Sequence, residues 1–551
     1  MYNLLIGGAA GQGIDTTAAV LEKMLKRAGY NVLTVRDVMS RVRGGHNFSL
    51  IRFGDAPVQS HANELDGIIA LNEETALLHK GDLKKDGFIL CDSGMQVDDP
   101  RAIKIAMTEM AKEIGNPKVA GTVAVGVVLK LFGEGLQNAK DVLGLSLKDK
   151  YLKVNLTAIK KGYDAAKSRY PRKNGTFGGW MNITGSQAIA LGAIAGGLQF
   201  YAAYPMSPST SIMEYLASKS LEAGLVVEQA EDEIAAVNMA IGASYAGARA
   251  MTGTSGGGFS LMVEGLGLAG ISETPVVIAL GQRPGPATGL PTRTEQGDLK
   301  FVISASQGEF PRIVIALKDH RDAFYGTARA LALAEKYQVP VIILFDQYLA
   351  DSSATVEPFD LKKIKNEEPL EVSEGEEYLR YRVTGSGISP RLAPGQSGHL
   401  VCIDSDEHDE KGWITESAEM RSRMVDKRMR KLDTFQPAEP DFLGAEDFDI
   451  LLLGWGSMYG PIAEAVGTLN GEGKKIAALV FGDVYPLPQK MLKEKAGKAK
   501  VIVGVEQNAT GQFAGLVREY TGIACGGRIL KYDGRQLTGE EIADRLRKGA
   551  F

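Results

Sequence analysis

The chain has 551 residues, enough for about three domains. Hydrophobic residues make up 44% and charged residues 23%, and 62 Lys and Arg against 67 Asp and Glu leave a net charge of -5. This slightly acidic balance gives no electrostatic basis for binding nucleic acid, which requires a basic face.

The first block, residues 1–165, alternates short apolar runs with helical segments. "NLLIG" predicts a strand that leads through a glycine-rich turn into the helix "TTAAVLEKMLKRAGY", and "NVLTVRDV", "GIIALN" and "GFILCDS" predict further strands. Strands that alternate with helices indicate an α/β domain with a parallel sheet. The basic stretch "AAKSRYPRKNGTFGGW" then predicts a linker, assigned to residues 166–181.

The glycine-rich turn of this block, "GGAAGQG" at Gly7–Gly13, lies where a phosphate can bind a helix amino terminus. The dinucleotide fingerprint G-x-G-x-x-G would place Ala10 at its central glycine, and no GK[ST] of a P-loop follows. A tight turn for close packing is therefore favoured over a nucleotide site. Ala10 also disfavours a self-sufficient NAD-dependent dehydrogenase.

The second block, residues 182–352, repeats the α/β pattern. Helices are predicted at "SQAIALGAIAGGLQF", "SIMEYLASKS", "EIAAVNMAIGASYAGA" and "LMVEGLGLAG", and strands at "FYAAYP", "RAMTGT", "PVVIALG", "PRIVIAL" and "VPVIILFD". The strands are apolar throughout, as in a sheet that is covered on both faces.

The rest of the chain divides into an arm and a third block. Residues 353–445 are charged and include "MRSRMVDKRMRK", which predicts a connecting arm with a surface helix. Residues 446–551 open with "FDILLLGWGS" and predict a smaller α/β domain. The fold class expected for the whole chain is α/β, multidomain, with parallel-sheet layers.

Two prolines and three hydroxyl side chains end one predicted strand, in "YPMSPST" at Tyr204–Thr210. Open α/β sheets bind ligands at the carboxyl ends of their strands. Pro208 is expected to fix the start of the next helix, and Ser209 or Thr210 to cap its free amides. Ser207, between the prolines, is therefore expected to face the ligand crevice.

An acidic cluster precedes a helix rich in alanine and glycine. Its members are Glu228, Glu231, Asp232 and Glu233. The helix macrodipole favours acidic residues at this end and accounts for most of the cluster. Glu233 differs because it shares a helix face with four apolar or small residues, Val237, Ala240, Ile241 and Ser244. It is expected to be buried and poised to share a proton with a ligand nitrogen.

Cysteine and histidine patterns limit the cofactors that this chain can hold by itself. Only Cys91, Cys402 and Cys525 are present, far apart in sequence, which argues against a disulfide framework or a metal or cluster site within the chain. The six histidines form no H-x-x-H pair, so no metal held by this chain alone is expected.

No apolar run approaches the ~20 residues that span a bilayer, and the amino terminus does not resemble a signal peptide. A cytoplasmic protein without membrane contact is expected.

Three segments resemble one family. "YPMSPST", "EDEIAAVNMAIGASYAGARAMTGTSGGG" and "GQRPGPATGLPTRTEQGDL" occur in the order and spacing of the alpha subunit of 2-oxoacid:ferredoxin oxidoreductases. The first block, with "GGAAGQG" and "SRVRGGHN", resembles the gamma domain fused to many such subunits. The second then corresponds to the pyrimidine-type thiamine diphosphate-binding domain, and residues 446–551 to the transketolase-C-like domain that follows it. The resemblance covers nearly the whole chain.

The resemblance implies a thiamine diphosphate enzyme that converts a 2-oxoacid, CoA and oxidised ferredoxin into acyl-CoA, CO2 and reduced ferredoxin. It implies that the alpha subunit binds the aminopyrimidine half of the cofactor. The beta subunit would hold the diphosphate, Mg2+ and a [4Fe-4S] cluster, in an (alpha-beta)2 assembly. Among substrates, 2-oxoglutarate is favoured over pyruvate and branched-chain 2-oxoacids, and the direction of the reaction stays open.

Family positions give roles to individual residues. By the resemblance, Glu233 hydrogen-bonds the aminopyrimidine ring, and Tyr204 and Pro205 contact the cofactor. A non-catalytic assembly or regulatory subunit is the alternative function, and the presence of Glu233 and Arg283 argues against it.

Substrate contacts follow in the same way. Ser207 stands where the family has threonine in "YPITPS", so it keeps the hydroxyl that contacts the substrate and loses a methyl group. Arg283 corresponds to the arginine that holds the 2-oxoacid carboxylate, a task suited to a guanidinium. Thr292 and Arg293 are expected to shape selectivity for the substrate side chain. The segment "SRVRGGHN" is left open between a CoA contact and an interdomain arginine loop.

Overall fold

The computed structural model describes residues 1–40, 45–365 and 377–551. Residues 41–44, in the segment "SRVRGGHN", lie outside the described residues. The chain forms two compact units. The first unit consists of Met1–Thr184, Asp351–Pro358 and Thr538–Glu540, and the second of Gly185–Ala350, Phe359–Leu537 and Glu541–Phe551.

Helices and strands alternate along most of the chain. The elements up to residue 184 are β1 Tyr2–Ala9, α1 Ile14–Arg27, β2 Asn31–Asp37, β3 His46–Gly54, β4 Leu65–Ala70, α2 Glu73–His79, β5 Leu83–Asp92, β6 Ala102–Ile105, α3 Met107–Glu113, α4 Ala120–Leu131, α5 Ala139–Ser146, α6 Asp149–Asp164 and β7 Met181–Thr184. Those up to residue 358 are α7 Gly185–Ala195, β8 Phe200–Ala203, α8 Thr210–Ala223, β9 Val226–Gln229, α9 Glu233–Tyr245, β10 Ala250–Ser255, α10 Gly256–Ile271, β11 Val276–Gln282, α11 Leu299–Ser304, β12 Ile313–Ala316, α12 His320–Tyr337, β13 Pro340–Asp346, α13 Gln347–Asp351 and β14 Ser353–Val356. The last are α14 Ala418–Arg430, β15 Asp441–Gly444, β16 Ile450–Trp455, α15 Tyr459–Gly471, β17 Ile476–Phe481, β18 Asp483–Tyr485, α16 Lys490–Ala496, β19 Val501–Glu506, α17 Gln512–Thr521, β20 Gly527–Leu530 and α18 Gly539–Arg547.

The first unit is built on an eight-stranded sheet in the order β6-β5-β4-β1-β3-β2-β14-β7. Its neighbours from β6 to β1 are parallel, as the alternation of strands and helices predicted. Strand β3 is antiparallel to both β1 and β2, and β14 is antiparallel to β2 and β7. The α/β class is confirmed. The alternation of strands and helices does not predict the antiparallel half, which depends on β3, a strand that buries every second residue over most of its length.

The second unit contains a seven-stranded sheet in the order β18-β12-β13-β11-β10-β8-β9. All its ladders are parallel except that of β12 with β18. Every residue of β10, β11 and β13 is buried, which confirms a sheet covered on both faces. Because β11, β10, β8 and β9 are parallel neighbours, their carboxyl ends lie along one edge, and the predicted site segments leave the sheet there.

Residues 446–537, called the C-terminal block below, carry most of a third sheet in the order β15-β17-β16-β19-β20. Only β15 is antiparallel to its neighbour. Trp455 and Phe513 of the block belong to the same apolar cluster as Phe259 and Leu266 of α10. The block is therefore continuous with the core around the seven-stranded sheet.

Helix α14 was predicted as a surface helix, and this is wrong for one of its faces. Met424, Lys427 and Arg428 are buried. The Nζ atoms of Lys427 and the following Lys431 each lie 2.7 Å from the carboxylate of Glu273, which is fully buried after α10. Lys427 and Lys431 are thus buried inside the protein, where ion pairing with Glu273 compensates for the cost of burying their charges.

No helix in the described part of the chain is long and apolar enough to cross a membrane.

Candidate active site

The turn after β8 and the loop after β11 meet at the carboxyl edge of the seven-stranded sheet. One guanidinium nitrogen of Arg283 donates a 2.8 Å hydrogen bond to the backbone carbonyl of Ser207, and the other lies 3.5 Å from Sδ of Met206. Ser207 is exposed and Arg283 is half-buried. The structure thus brings together two residues that the family resemblance assigns to the substrate.

The start of helix α8, after this turn, is not capped as expected. Tyr204 is exposed and Pro205 is half-buried, so both are accessible at the sheet edge. Helix α8 begins at Thr210, but its N-cap residue Ser209 makes no side-chain cap. The Ser209 hydroxyl instead donates a 2.8 Å hydrogen bond to the carbonyl of Met206. The expected cap is therefore not formed by Ser209, because its hydroxyl closes the turn.

Glu233 opens helix α9 and is buried, with 3% of its surface exposed. The preceding Asp232 caps the helix by accepting a 2.7 Å hydrogen bond from the Ala235 amide. Thr254 Oγ1, at the end of β10, lies 3.4 Å from Glu233 Oε1 and donates to it. Glu231, by contrast, is exposed. The predicted burial of Glu233 and of its helix face is confirmed.

The glycines of "TGTSGGG" have no side chains and so leave space for two carboxylates beside the first turn of α10. A Cβ on Gly258 would lie 2.3 Å from Glu233 Oε1 and 2.0 Å from Thr254 Oγ1. A Cβ on Gly256 would lie 2.7 Å from both carboxylate oxygens of Asp298. The amino terminus of a helix stabilises nearby negative charge. The glycines are thus needed for the close approach of acidic side chains, a role that the motif alone did not indicate.

Several buried polar atoms around this edge lack a partner within the described residues. They are Tyr201 Oη, Thr252 Oγ1, Ser255 Oγ and Asp298 Oδ2. Most buried polar atoms in proteins are hydrogen-bonded. These four atoms lie on β8, on β10 and in the loop after β11.

Two further carboxylates of the site were missed by sequence reasoning. Burial, reinforced by the charge of Asp298, raises the pKa of Glu295 to about 7. Burial also raises the pKa of Asp298 to about 6, and Arg283 opposes this increase. The segment "TEQGD" reads as a solvated loop, and no local signal in it reveals the burial.

The loop of residues 283–299 carries the two predicted selectivity residues and contacts the C-terminal block. Thr292 and Arg293 are half-buried. Arg293 packs on the C-terminal block, because a Cβ on Gly534 would lie 3.0 Å from Arg293 Cβ. The Thr294 amide donates to the Gly534 carbonyl at 3.3 Å. Arg283 thus contacts Ser207 at the sheet edge, and Arg293 of the same loop contacts this block.

The first unit has a cavity of its own beside the glycine-rich turn. Gly11 and Gly13 have φ of 92° and 80°, as a tight turn requires, but a Cβ on either would meet nothing within 4 Å, so the expected close packing is wrong. The cavity has a volume of about 660 Å3. Its lining includes both glycines, Thr16 and Lys118. A space of this size, lined by a helix start and a lysine, can accept an anionic ligand.

Two family models match different stretches of the chain. Residues 191–427 match the model described as pyruvate flavodoxin/ferredoxin oxidoreductase, thiamine diphosphate-binding. Residues 3–165 match the model of pyruvate ferredoxin/flavodoxin oxidoreductase.

Individual proteins are similar over still longer stretches. The chain is 34% identical to the 2-oxoacid:ferredoxin oxidoreductase subunit alpha of a Sulfolobus species, over 99% of this chain and 96% of that protein. It is 32% identical to the 2-oxoglutarate synthase subunit KorA of Methanothermobacter thermautotrophicus, over 66% of this chain and 98% of that protein. A solved structure, the 2-oxoglutarate:ferredoxin oxidoreductase of Magnetococcus marinus with 2-oxoglutarate, coenzyme A and succinyl-CoA bound, matches with a TM-score of 0.92 at 31% identity. That match covers 100% of this chain and 99% of that chain.

Proposed function

This chain belongs to the 2-oxoacid:ferredoxin oxidoreductase family as an alpha subunit, and from that premise we propose that it acts with a beta subunit on 2-oxoglutarate. The reaction joins the acyl group of the 2-oxoacid to CoA, releases CO2 and passes two electrons, one at a time, to ferredoxin. With a reductant of sufficiently low potential the same complex would run in reverse. The observation that carries the proposal is the buried carboxylate of Glu233 beside the glycine turn of α10.

The residues around Glu233 suit the aminopyrimidine half of thiamine diphosphate. When bound, thiamine diphosphate supplies the electron sink for decarboxylation. Glu233 would hydrogen-bond a ring nitrogen and hold a proton there, while Thr254 orients the carboxylate. Within the described residues, the buried hydroxyls of Thr252 and Ser255, on the same strand as Thr254, have no hydrogen-bond partner. Tyr204 and Pro205 would line the cofactor side of the crevice.

The turn after β8 and the loop after β11, which Arg283 joins, would hold the substrate. The Arg283 guanidinium would bind the carboxylate next to the keto group, and the Ser207 hydroxyl would contact the same carboxylate or the keto oxygen. A dicarboxylate such as 2-oxoglutarate needs a second cation for its distal carboxylate. Arg293, in the same loop, offers one, and Thr292 lies next to it. KorA and the Magnetococcus enzyme, both named for 2-oxoglutarate, support this choice of substrate.

The remaining cofactors are assigned to the partner. We place the diphosphate site, Mg2+ and a [4Fe-4S] cluster on the beta subunit, in an (alpha-beta)2 assembly that reduces ferredoxin. A cluster requires several cysteine thiolates close together. Cys91, Cys402 and Cys525 are free and widely separated in sequence. In the described part of the chain, no three His, Cys, Asp or Glu residues lie together as a metal site.

CoA is proposed as the co-substrate, and the cavity of the first unit is the part of this chain we assign to it. The volume of about 660 Å3 lies within the range of small-molecule sites. The backbone of Gly11 and Gly13 and the side chain of Lys118 suit the phosphates of a nucleotide-bearing ligand. The variant Lys118→Ala should raise the KM for CoA without altering that for the 2-oxoacid.

The decisive experiment is co-expression with the beta subunit and assay of the purified complex. We expect a brown complex that reduces a viologen dye only when a 2-oxoacid and CoA are both present. A panel of 2-oxoglutarate, pyruvate and branched-chain 2-oxoacids identifies the substrate, and 2-oxoglutarate should give the highest kcat/KM. NAD reduction by the isolated chain would overturn the proposal.

A further inference from the structure

Gln296 connects the loop of residues 283–299 to the C-terminal block. The side chain is 1% exposed. Its Nε2 donates to the Trp455 carbonyl at 2.9 Å, and its Oε1 accepts from the Gln507 amide at 3.1 Å. Its backbone amide donates to the Gln507 carbonyl at 2.7 Å, and its carbonyl accepts from Asn508 Nδ2 at 3.2 Å. Both its side chain and its backbone are therefore bonded to the C-terminal block.

Neighbouring loop residues dock on the same block. The Gly297 carbonyl accepts a 2.7 Å hydrogen bond from Gln512 Nε2, and the Lys300 amide donates to Gln512 Oε1 at 2.9 Å. Gly534 has φ of 79° and lies against Leu290 as well as Arg293. Segments that are distant in sequence thus hold one loop in place.

The loop is also closed on itself at its base. The Asp298 amide donates a 3.1 Å hydrogen bond to Oε1 of Gln282, the residue directly before Arg283. Arg283 therefore leaves β11 beside the point where the docked end of the loop returns. A shift of Gln296 would be passed through Asp298 and Gln282 to the guanidinium that contacts Ser207.

We propose that Gln296 is a positioning residue for the 2-oxoacid site and that the C-terminal block takes part in substrate selection by holding the 283–299 loop. The inference rests on the proposed function only in taking this loop as the substrate loop. Gln296 does not touch the substrate. It fixes the place from which Arg283 and Arg293 reach it.

The test compares Gln296→Met with Arg329→Met in the complete alpha–beta complex. Methionine keeps the length of the side chain and removes both of its hydrogen bonds. Arg329 also binds the block, through two hydrogen bonds of 2.5 and 2.7 Å to Asp483, but it lies on α12 and not on the loop. The Arg329→Met variant therefore measures the effect of weakening the attachment of the C-terminal block without removing a hydrogen bond of the 283–299 loop. The readouts are KM and kcat for each 2-oxoacid, and amide hydrogen exchange of residues 284–295.

For Gln296→Met we expect KM for 2-oxoglutarate to rise about tenfold, because buried partners lose their hydrogen bonds, with kcat changed far less. The kcat/KM ratio of 2-oxoglutarate to pyruvate should fall, and residues 284–295 should exchange faster. Arg329→Met should lower thermal stability while leaving the ratio and the loop exchange unchanged.

Unchanged KM and unchanged loop exchange in Gln296→Met would overturn the inference. An inactive wild-type complex would instead reject the proposed function, and the exchange measurement would still decide whether Gln296 fixes the loop. If Gln296→Met does not fold, Gly534→Ala replaces it. Its Cβ would lie 3.0 Å from Arg293 Cβ and 3.1 Å from Leu290 Cδ1, so it should shift the same loop and raise KM.

Discussion

The guanidinium of Arg283 donates a 2.8 Å hydrogen bond to the backbone carbonyl of Ser207. The bond joins the turn after β8 to the loop after β11 across the edge of the sheet. Because the acceptor is a backbone carbonyl, any residue at position 207 would preserve it. The side chain of Ser207 therefore remains available to a ligand, and the guanidinium keeps other N–H groups for a carboxylate.

Arg283→Ala should reduce kcat/KM for 2-oxoacids about 10- to 100-fold, since it removes hydrogen bonds to a charged group. Arg283→Lys should recover only part of the loss, because an ammonium cannot hold Ser207 and a carboxylate with the same geometry. Steady-state kinetics of the complex measures both. Arg321→Ala, on the exposed start of α12, is the control. An unchanged kcat/KM in Arg283→Ala would remove this residue from the substrate site.

Glu233→Gln should leave the complex assembled and reduce turnover about 10²- to 10⁴-fold, the range for loss of a proton-transfer group. The amide fills the same buried space beside Thr254 and cannot hold the proton. Glu231→Gln provides a matched control, because Glu231 precedes the same helix but is exposed. Wild-type turnover in Glu233→Gln would refute the assigned role. Size-exclusion chromatography checks assembly of both variants.

Gly258→Ala should impair turnover about tenfold or more, because Glu233 must move from its proton-transfer position. The neighbouring Gly257→Ala is expected to be nearly neutral, since its Cβ would meet only the Ala287 carbonyl, at 3.8 Å. Alanine is favoured over glycine in helices, so neither effect is expected from helix propensity. Equal turnover in the two variants would contradict the account of the glycine turn.

Much of this site follows from local sequence patterns. Glu233 was correctly expected to be buried because helical periodicity assigns it to an apolar face. The α/β sheets were predictable because apolar strands alternate with helices. Ser207 and Arg283 could be paired only through the resemblance, as no periodicity relates two turns that follow different strands.

What the sequence did not reveal depends on contacts between distant segments. Gln296 looks like an ordinary polar loop residue until Trp455 and Gln507 are placed against it. Lys427 belongs to a helix that reads as a charged surface, and its burial follows from pairing with Glu273. Single-sequence patterns report which residues share a face, but not which distant partner covers that face.

The pH dependence of stability should reflect Glu295 and Asp298. Their pKa values are raised from 4.5 and 3.8 to about 7 and about 6. Between about pH 4 and pH 7 the folded protein therefore binds more protons than the unfolded chain, and the free energy of unfolding should fall as pH rises. Above this window the effect should level off.

Asp298→Asn removes one of these two contributions. It should reduce the loss of thermal stability between pH 5 and pH 8, and Glu231→Gln should leave that loss unchanged. The measurement is the melting temperature of the complex at both pH values. An unchanged decline in Asp298→Asn would show that Asp298 is already ionised in the folded protein throughout this range and would contradict the prediction.

The buried ion cluster of Glu273 with Lys427 and Lys431 should be essential for folding of the arm. Both ammonium groups lie 2.7 Å from the carboxylate, and they hold the pKa of Glu273 well below its usual range against the effect of burial. Glu273→Gln leaves two buried cations without their anion and should cost about 3–5 kcal/mol of unfolding free energy, whereas an exposed ion pair contributes little.

Lys411→Met supplies the comparison for Glu273→Gln. Lys411 pairs with Glu377 at 2.8 Å, and both side chains are at least half exposed. Urea unfolding of the complex, followed by fluorescence, should show a large loss of stability for Glu273→Gln and almost none for Lys411→Met. Similar unfolding midpoints for the two variants would mean that water reaches the cluster and that its charges are screened as on the surface.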